Sequence, residues 1–196
     1  MTTVFVDVDS QLDFLYPAGA LYVPRAERIV PAIAHLNRYA AQNRIPVIST
    51  TDAHFEDDPE FRVWPRHCVA GTLGQRKAES TLLDRRVTIP NRDCELAIEG
   101  AQQIIVEKQT VDVFAAPNLG RVVYRLPADR YVVYGVVTEI CILYAVRGLH
   151  KWSKPVIVVT DAIETLKAED SARALAEIRS LGSKCAELGE VTSLLE

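Results

Sequence analysis

Cysteine is sparse in this chain and never closely paired. Cys68, Cys94, Cys141 and Cys185 stand far apart, and no C-x-x-C spacing occurs. That spacing gives no support to a zinc ribbon, a redox motif or a disulfide framework, and fits free thiols in a reduced setting. Basic runs are missing as well. Lys and Arg total 22 against 26 Asp and Glu, a net charge of -4. Binding to nucleic acid or to an anionic membrane therefore has no electrostatic footprint. No apolar stretch approaches the roughly 20 residues a bilayer-spanning helix needs. Met1, Thr2 and Thr3 lead straight into a strand-like run. No secretory leader is expected, and a cytoplasmic location is. The chain shows no internal repeat, no low-complexity tract and no linker.

What is present suits a globular α/β protein. Of 196 residues, 48% are apolar and 24% charged, enough for a single domain over residues 1–196 with a sizeable core. Val4 to Val8 reads as a buried strand, Ala26 to Gln42 as a helix with apolar residues at helical spacing, and Pro46 to Ser49 as a second strand. Asp52 to Gly74 is polar and Pro-rich, a long functional loop. Ile104 to Glu107, Tyr131 to Tyr134 and Pro155 to Val159 are further strands. Pro117 to Tyr124, Glu139 to Trp152 and Ala168 to Leu181 are helices, and Cys185 to Leu188 is a last edge strand. Arg76 to Gly100 is charged and reads as an excursion or hairpin arm, of the kind that contacts a second subunit. Strands alternating with helices predict a mostly parallel sheet covered on both faces.

In such sheets ligands bind beyond the carboxyl ends of the strands. Asp9, Asp52, His54, Lys108 and Cys141 all fall there. Cys141 opens the helix-compatible run after a strand, where free N–H groups favour a thiolate. Asp9 can take a thiol proton and return it to a leaving amine, and Lys108 can stabilise the charge. From spacing alone, a buried structural Asp9–Lys108 pair and an inert Cys141 are the more ordinary reading. D-A-H at Asp52 to His54 puts two ligands on one side of an extended segment. His67 returns from the far end of the loop and Glu60 lies between. Such a set suits Zn, Fe or Mn with positions open to water or substrate, although plain hydrogen-bonding histidines on an acidic loop fit the same pattern. Phe14 and Trp64 can sandwich a planar ring or pack the core. His35 and His150 fall on helices as surface or packing residues.

Together these residues resemble the isochorismatase-like cysteine hydrolases, nicotinamidases in particular. D-S-Q-L-D-F stands at Asp9 to Phe14, D-A-H at Asp52 to His54, W-P-R-H-C-V at Trp64 to Val69, I-I-V-E-K ending at Lys108, and G-V-V-T-E-I-C ending at Cys141. They occur in the family's order and cover almost the whole chain. The resemblance implies a three-layer α/β/α fold and an Asp9–Lys108–Cys141 triad. It also implies a cis peptide before Val137 and an oxyanion hole from the Val137 and Cys141 N–H groups. Asp52, His54 and His67 match the family's metal ligands and Glu60 its variable extra ligand. The metal, zinc first and Fe or Mn next, would hold a ring nitrogen. The Q-T-V-D-V-F-A-A-P-N-L run after Lys108 and the Arg76 to Gly100 stretch depart from the nicotinamidase pattern. Isochorismatase itself does not use the metal segment, which argues against that activity.

The function expected is metal-assisted hydrolysis of a small amide, nicotinamide to nicotinate and ammonia, through a Cys141 thioester. The alternatives are another small amide or carbamoyl compound on the same triad, or a metal-dependent binding module without turnover. The expected partners are the small amide substrate and further copies of the chain in a homo-oligomer, with neither nucleic acid nor membrane.

Overall fold

The computed structural model describes residues 1–195. Its centre is a seven-stranded sheet in the order β3-β4-β2-β1-β5-β6-β7. The strands are β1 (Thr3–Val8), β2 (Val47–Asp52), β3 (Arg86–Ile89), β4 (Gln103–Lys108), β5 (Arg130–Val136), β6 (Val156–Glu164) and β7 (Lys184–Ala186). Every neighbouring pair is parallel, so the expectation of a mostly parallel sheet becomes an all-parallel one. The runs V-F-V-D-V in β1 and Y-V-V-Y-G-V in β5 are buried throughout. A strand covered on both faces needs such near-continuous apolar sequence.

Helices close both faces. On one side α3 (Leu119–Arg125), α4 (Leu143–His150) and α5 (Ala168–Ser180) pack Val122, Val146 and Ile178 onto Val4, Val6, Val133 and Val158. On the other, α2 (Val30–Gln42) and α6 (Leu188–Leu195) pack Ile33, Leu36 and Val191 with Phe5, Val132 and Ile157. The result is the expected α/β/α sandwich. The chain steps from β1 to β2 on one side and later to β5 on the other. That reversal opens the crevice in which open α/β sheets bind ligands.

Several elements differ from the sequence expectations. The stretch from Arg76 to Gly100 is no hairpin arm, for it contributes β3, which pairs in parallel with β4. Arg86, Val87 and Thr88 are not fully buried, so this edge strand lacks the apolar run that marks the others. The helix expected from Ala26 starts at Val30, after a single 3₁₀ turn at Ala26–Arg28, with Pro31 in its first turn where a missing N–H costs nothing. The helix expected from Glu139 begins instead as a π turn, Thr138–Ile142, before α4. The last strand is Lys184–Ala186 rather than Cys185 to Leu188, because Leu188 already opens α6. A short helix, α1 (Leu12–Leu15), follows β1.

Candidate active site

Strand register assembles the site. Asp52 and Lys108 are direct partners at the ends of β2 and β4, and Asp9 follows β1 between β2 and β5. There Lys108 Nζ lies 2.9 Å from Asp9 Oδ2, against Asp52 Oδ1, and 4.0 Å from Cys141 Sγ. All four side chains are buried. Thr50 Oγ1 donates to Asp9 Oδ1 at 2.6 Å. The backbone at Asp9 is left-handed, with φ of 50°, which turns its carboxylate off the strand line toward Lys108.

The electrostatics follow from one ammonium shared by two buried carboxylates. Burial pushes the Asp9 carboxyl above the usual range, Lys108 opposes this and the Asp52 charge adds to it. Burial also works on Asp52, but the Lys108 charge and the two histidines outweigh it and hold that carboxyl below its ordinary value. Burial would lower the Lys108 pKa, yet the Asp52 and Asp9 charges raise it well above normal. Burial lifts the Cys141 thiol, Lys108 opposes, and the Asp9 and Asp52 charges and an Asp9 hydrogen bond lift it further. The helix terminus was expected to favour a thiolate. Burial and the two carboxylates instead push the Cys141 thiol in the opposite direction.

The second group lies on the far side of Asp52. Atoms of Asp52, His54 and His67 that can hold a metal lie within 4.8 Å of one another, all buried. His54 Nε2 and His67 Nε2 stand 3.8 and 3.7 Å from Asp52 Oδ2. His67 Nδ1 hydrogen-bonds to Pro65 C=O at 2.7 Å, a contact that makes Nδ1 the donor and leaves Nε2 its lone pair. Asp58 Oδ2 is 3.0 Å from His54 Nδ1. Neither His54 ring nitrogen has a well-aligned hydrogen-bond partner despite full burial. Buried polar atoms are nearly always satisfied, so a pair of Nε2 lone pairs converging on a free carboxylate oxygen fits a divalent cation. The strand ends bring the ligands together: His54 N–H donates to Cys68 C=O at 3.1 Å and Ala70 N–H to His54 C=O at 2.9 Å. Glu60 falls outside the close cluster but faces the same cavity.

That cavity, about 360 Å³ including the part open to solvent, is lined by Cys141 and Val137 together with Asp52, Glu60 and His67. Phe14, Trp64 and other apolar side chains form its walls, and no Lys or Arg is among the lining residues. The peptide between Val136 and Val137 is cis, as expected. Ile140 and Ile142 N–H both donate to Val137 C=O at 3.1 Å, which folds the π turn around the thiol.

Three supporting residues were missed by the sequence reading. Gln11 accepts from Asp52 N–H at 2.7 Å and donates to Asp52 C=O at 2.8 Å and Gln75 C=O at 2.7 Å. Asp13 accepts from Cys68 N–H at 2.6 Å and Ala20 N–H at 2.9 Å, and so fixes the residue beside His67. Asp58 backs His54. Gln11 and Asp13 sit inside the D-S-Q-L-D-F run, which was the available signal. Asp58 was hidden in an acidic loop.

A family model described as the isochorismatase domain matches residues 3–192, so this chain belongs to the isochorismatase family. The isochorismatase family protein PncA of Bacillus subtilis (strain 168) is 25% identical over 194 residues, covering 95% of this chain and 100% of that protein. The pyrazinamidase of Pyrococcus horikoshii, solved in complex with zinc, superposes with a TM-score of 0.80 at 27% identity over 95% of this chain and 99% of that one. The N-carbamoylsarcosine amidase of Thermoplasma acidophilum shares the fold with a TM-score of 0.77 at 22% identity, over 96% and 97% of the two chains.

Proposed function

We propose that this member of the isochorismatase family is a cysteine amidohydrolase acting on a small neutral carboxamide, with nicotinamide as the leading substrate. The observation that carries the reading is Cys141 in the wall of a largely apolar cavity, with Lys108 beside it in contact with Asp9 and Asp52, and Asp52 shared with a three-residue His and Asp cluster.

Asp9 takes the Cys141 proton as the sulfur attacks the carbonyl carbon. The new oxyanion is held by the Val137 and Cys141 N–H groups. Asp9 then gives its proton to the departing nitrogen, ammonia leaves, and a thioester remains on Cys141. Water, with Asp9 accepting its proton, cleaves the thioester to the carboxylate and restores the thiol. Lys108 keeps Asp9 in place and offsets the negative charge that moves between carboxylate, sulfur and oxyanion. Phe14 and Trp64 hold the ring plane.

Asp52, His54 and His67 would hold a divalent metal, zinc first and Fe or Mn next, with Glu60 as a further ligand. Bound there, it would supply a Lewis-acid anchor for a ring nitrogen. The Pyrococcus horikoshii relative with its zinc supports this choice. An N-carbamoyl amino acid carries a carboxylate, and no Lys or Arg lines the cavity to pair with it; that favours a neutral amide.

The test is ammonia release by the zinc-loaded protein from nicotinamide, aliphatic amides and N-carbamoyl amino acids. Nicotinamide is expected to have the highest kcat/KM. Faster turnover of an N-carbamoyl acid would overturn the assignment of substrate.

A further inference from the structure

A buried ion pair lies outside the machinery described so far. Lys77 Nζ is 2.8 Å from Asp7 Oδ2, with both side chains almost wholly buried, and it also contacts Ser10 Oγ. Ser10 Oγ donates to Asp7 Oδ1 at 2.7 Å, and Asn37 Nδ2 donates to Asp7 Oδ2 at 3.0 Å. None of these residues lines the cavity. A buried ion pair is weak evidence of stabilisation, since an apolar pair of equal volume often serves as well.

The pair's position says more. Asp7 precedes Asp9 by two residues and Ser10 follows it by one, so the network brackets Asp9. Asp9 holds a left-handed backbone, φ 50°, a region sparsely populated by residues with a Cβ and entered by Asp mostly where local hydrogen bonds support it. The Lys77 segment grips the same turn through its main chain. Leu12 N–H donates to Arg76 C=O at 2.8 Å and Ala78 N–H to Ser10 C=O at 3.1 Å. Ser10 is thus fixed by backbone and side chain at once, immediately after the left-handed residue.

We infer that Lys77 and Asp7 act through Ser10 as positioning residues for Asp9, holding its carboxylate between Thr50 and Lys108 and against the Cys141 thiol. The inference rests on the reading of Asp9 as the proton carrier. It places the effect of the pair on the chemical step, and leaves metal and substrate binding alone.

Two variants test it. Ser10→Ala removes one hydroxyl and keeps the ion pair. Asp7→Asn combined with Lys77→Met removes both charges together, so no lone charge stays buried. Each is measured for folding by circular dichroism, zinc content, kcat and KM for the best amide, and the rate of Cys141 alkylation by iodoacetamide. Parent-like zinc content and KM are expected, with kcat and alkylation each lower by about tenfold or more. Parent-like kcat and alkylation in the folded variants would overturn the inference, as would a change confined to KM. Asp9→Asn runs beside them and needs no substrate to be informative. If it leaves alkylation unchanged, Asp9 is not the proton carrier and the underlying reading fails. If it slows alkylation while the pair variants do not, positioning alone fails.

Discussion

Asp52 is the residue that joins the two halves of the site. One carboxylate oxygen contacts the Lys108 ammonium and the other faces His54 and His67. Its main chain is clamped by Gln11 on both sides, so neither half can shift without the other. Asp58 extends this chain outward, its Oδ2 standing 3.0 Å from His54 Nδ1. Carboxylates behind metal-binding histidines orient the ring and raise its basicity, and their loss costs about 10–100-fold in metal affinity. Asp58→Ala is therefore expected to weaken zinc binding by about that factor in competition with a chromophoric chelator. An unchanged zinc affinity would remove Asp58 from the site.

At the scale of elements, the ends of β1 and β5 are packed against each other with no room to spare. Gly135 has φ of 119°, and a Cβ there would meet Val8 C=O at 2.0 Å. Gly135→Ala must push the two strands apart directly beneath Asp9 and the cis peptide. It is expected to cost about 2–3 kcal/mol, read as a lower urea midpoint at unchanged slope, together with loss of turnover. An unshifted midpoint would show that the strands can part freely. β5 also carries Tyr134, whose Oη donates to Asn37 at 2.5 Å. Burial, and then the charge of Asp7, push its hydroxyl well above the ordinary range. An unfolded Tyr loses its proton near pH 10 while the folded one keeps it, so the unfolded state binds fewer protons above that pH. The contribution of Tyr134 is thus complete below about pH 10 and fades as pH rises toward the folded value. Tyr134→Phe is expected to lose stability less steeply than the parent across that range. Equal slopes would contradict the assignment.

At the scale of the whole molecule, the sheet and the polar cluster at its carboxyl edge were legible because both leave period and position in the sequence. The apolar strand runs announce themselves, and polar residues that interrupt their carboxyl ends stand out: Asp9, Asp52, Lys108. The short edge strand β3 was illegible, since Arg86 and Thr88 look toward solvent and nothing in R-V-T-I distinguishes it from loop. The π turn at Thr138–Ile142 reads as ordinary helix, because one extra residue in a turn leaves apolar spacing almost unaltered. Lys77 gave no signal at all. A lysine in a charged stretch reads as surface, and only the fold shows that it reaches Asp7. The upward push on the Cys141 thiol was illegible for a related reason: the helix terminus is visible in sequence, but the two carboxylates that act on Cys141 come from strands far away in the chain.

The central claim is that Cys141 turns over an amide rather than merely lying beside a metal-binding loop. The most direct measurement is ammonia release from nicotinamide and a panel of other small amides by the protein loaded with Zn, Mn or Fe, with Cys141→Ala loaded in the same way. Turnover by the parent, and its loss in a folded variant that retains the metal, is the predicted result. Ammonia release that survives in Cys141→Ala, or no release by the parent from any amide, would contradict the account.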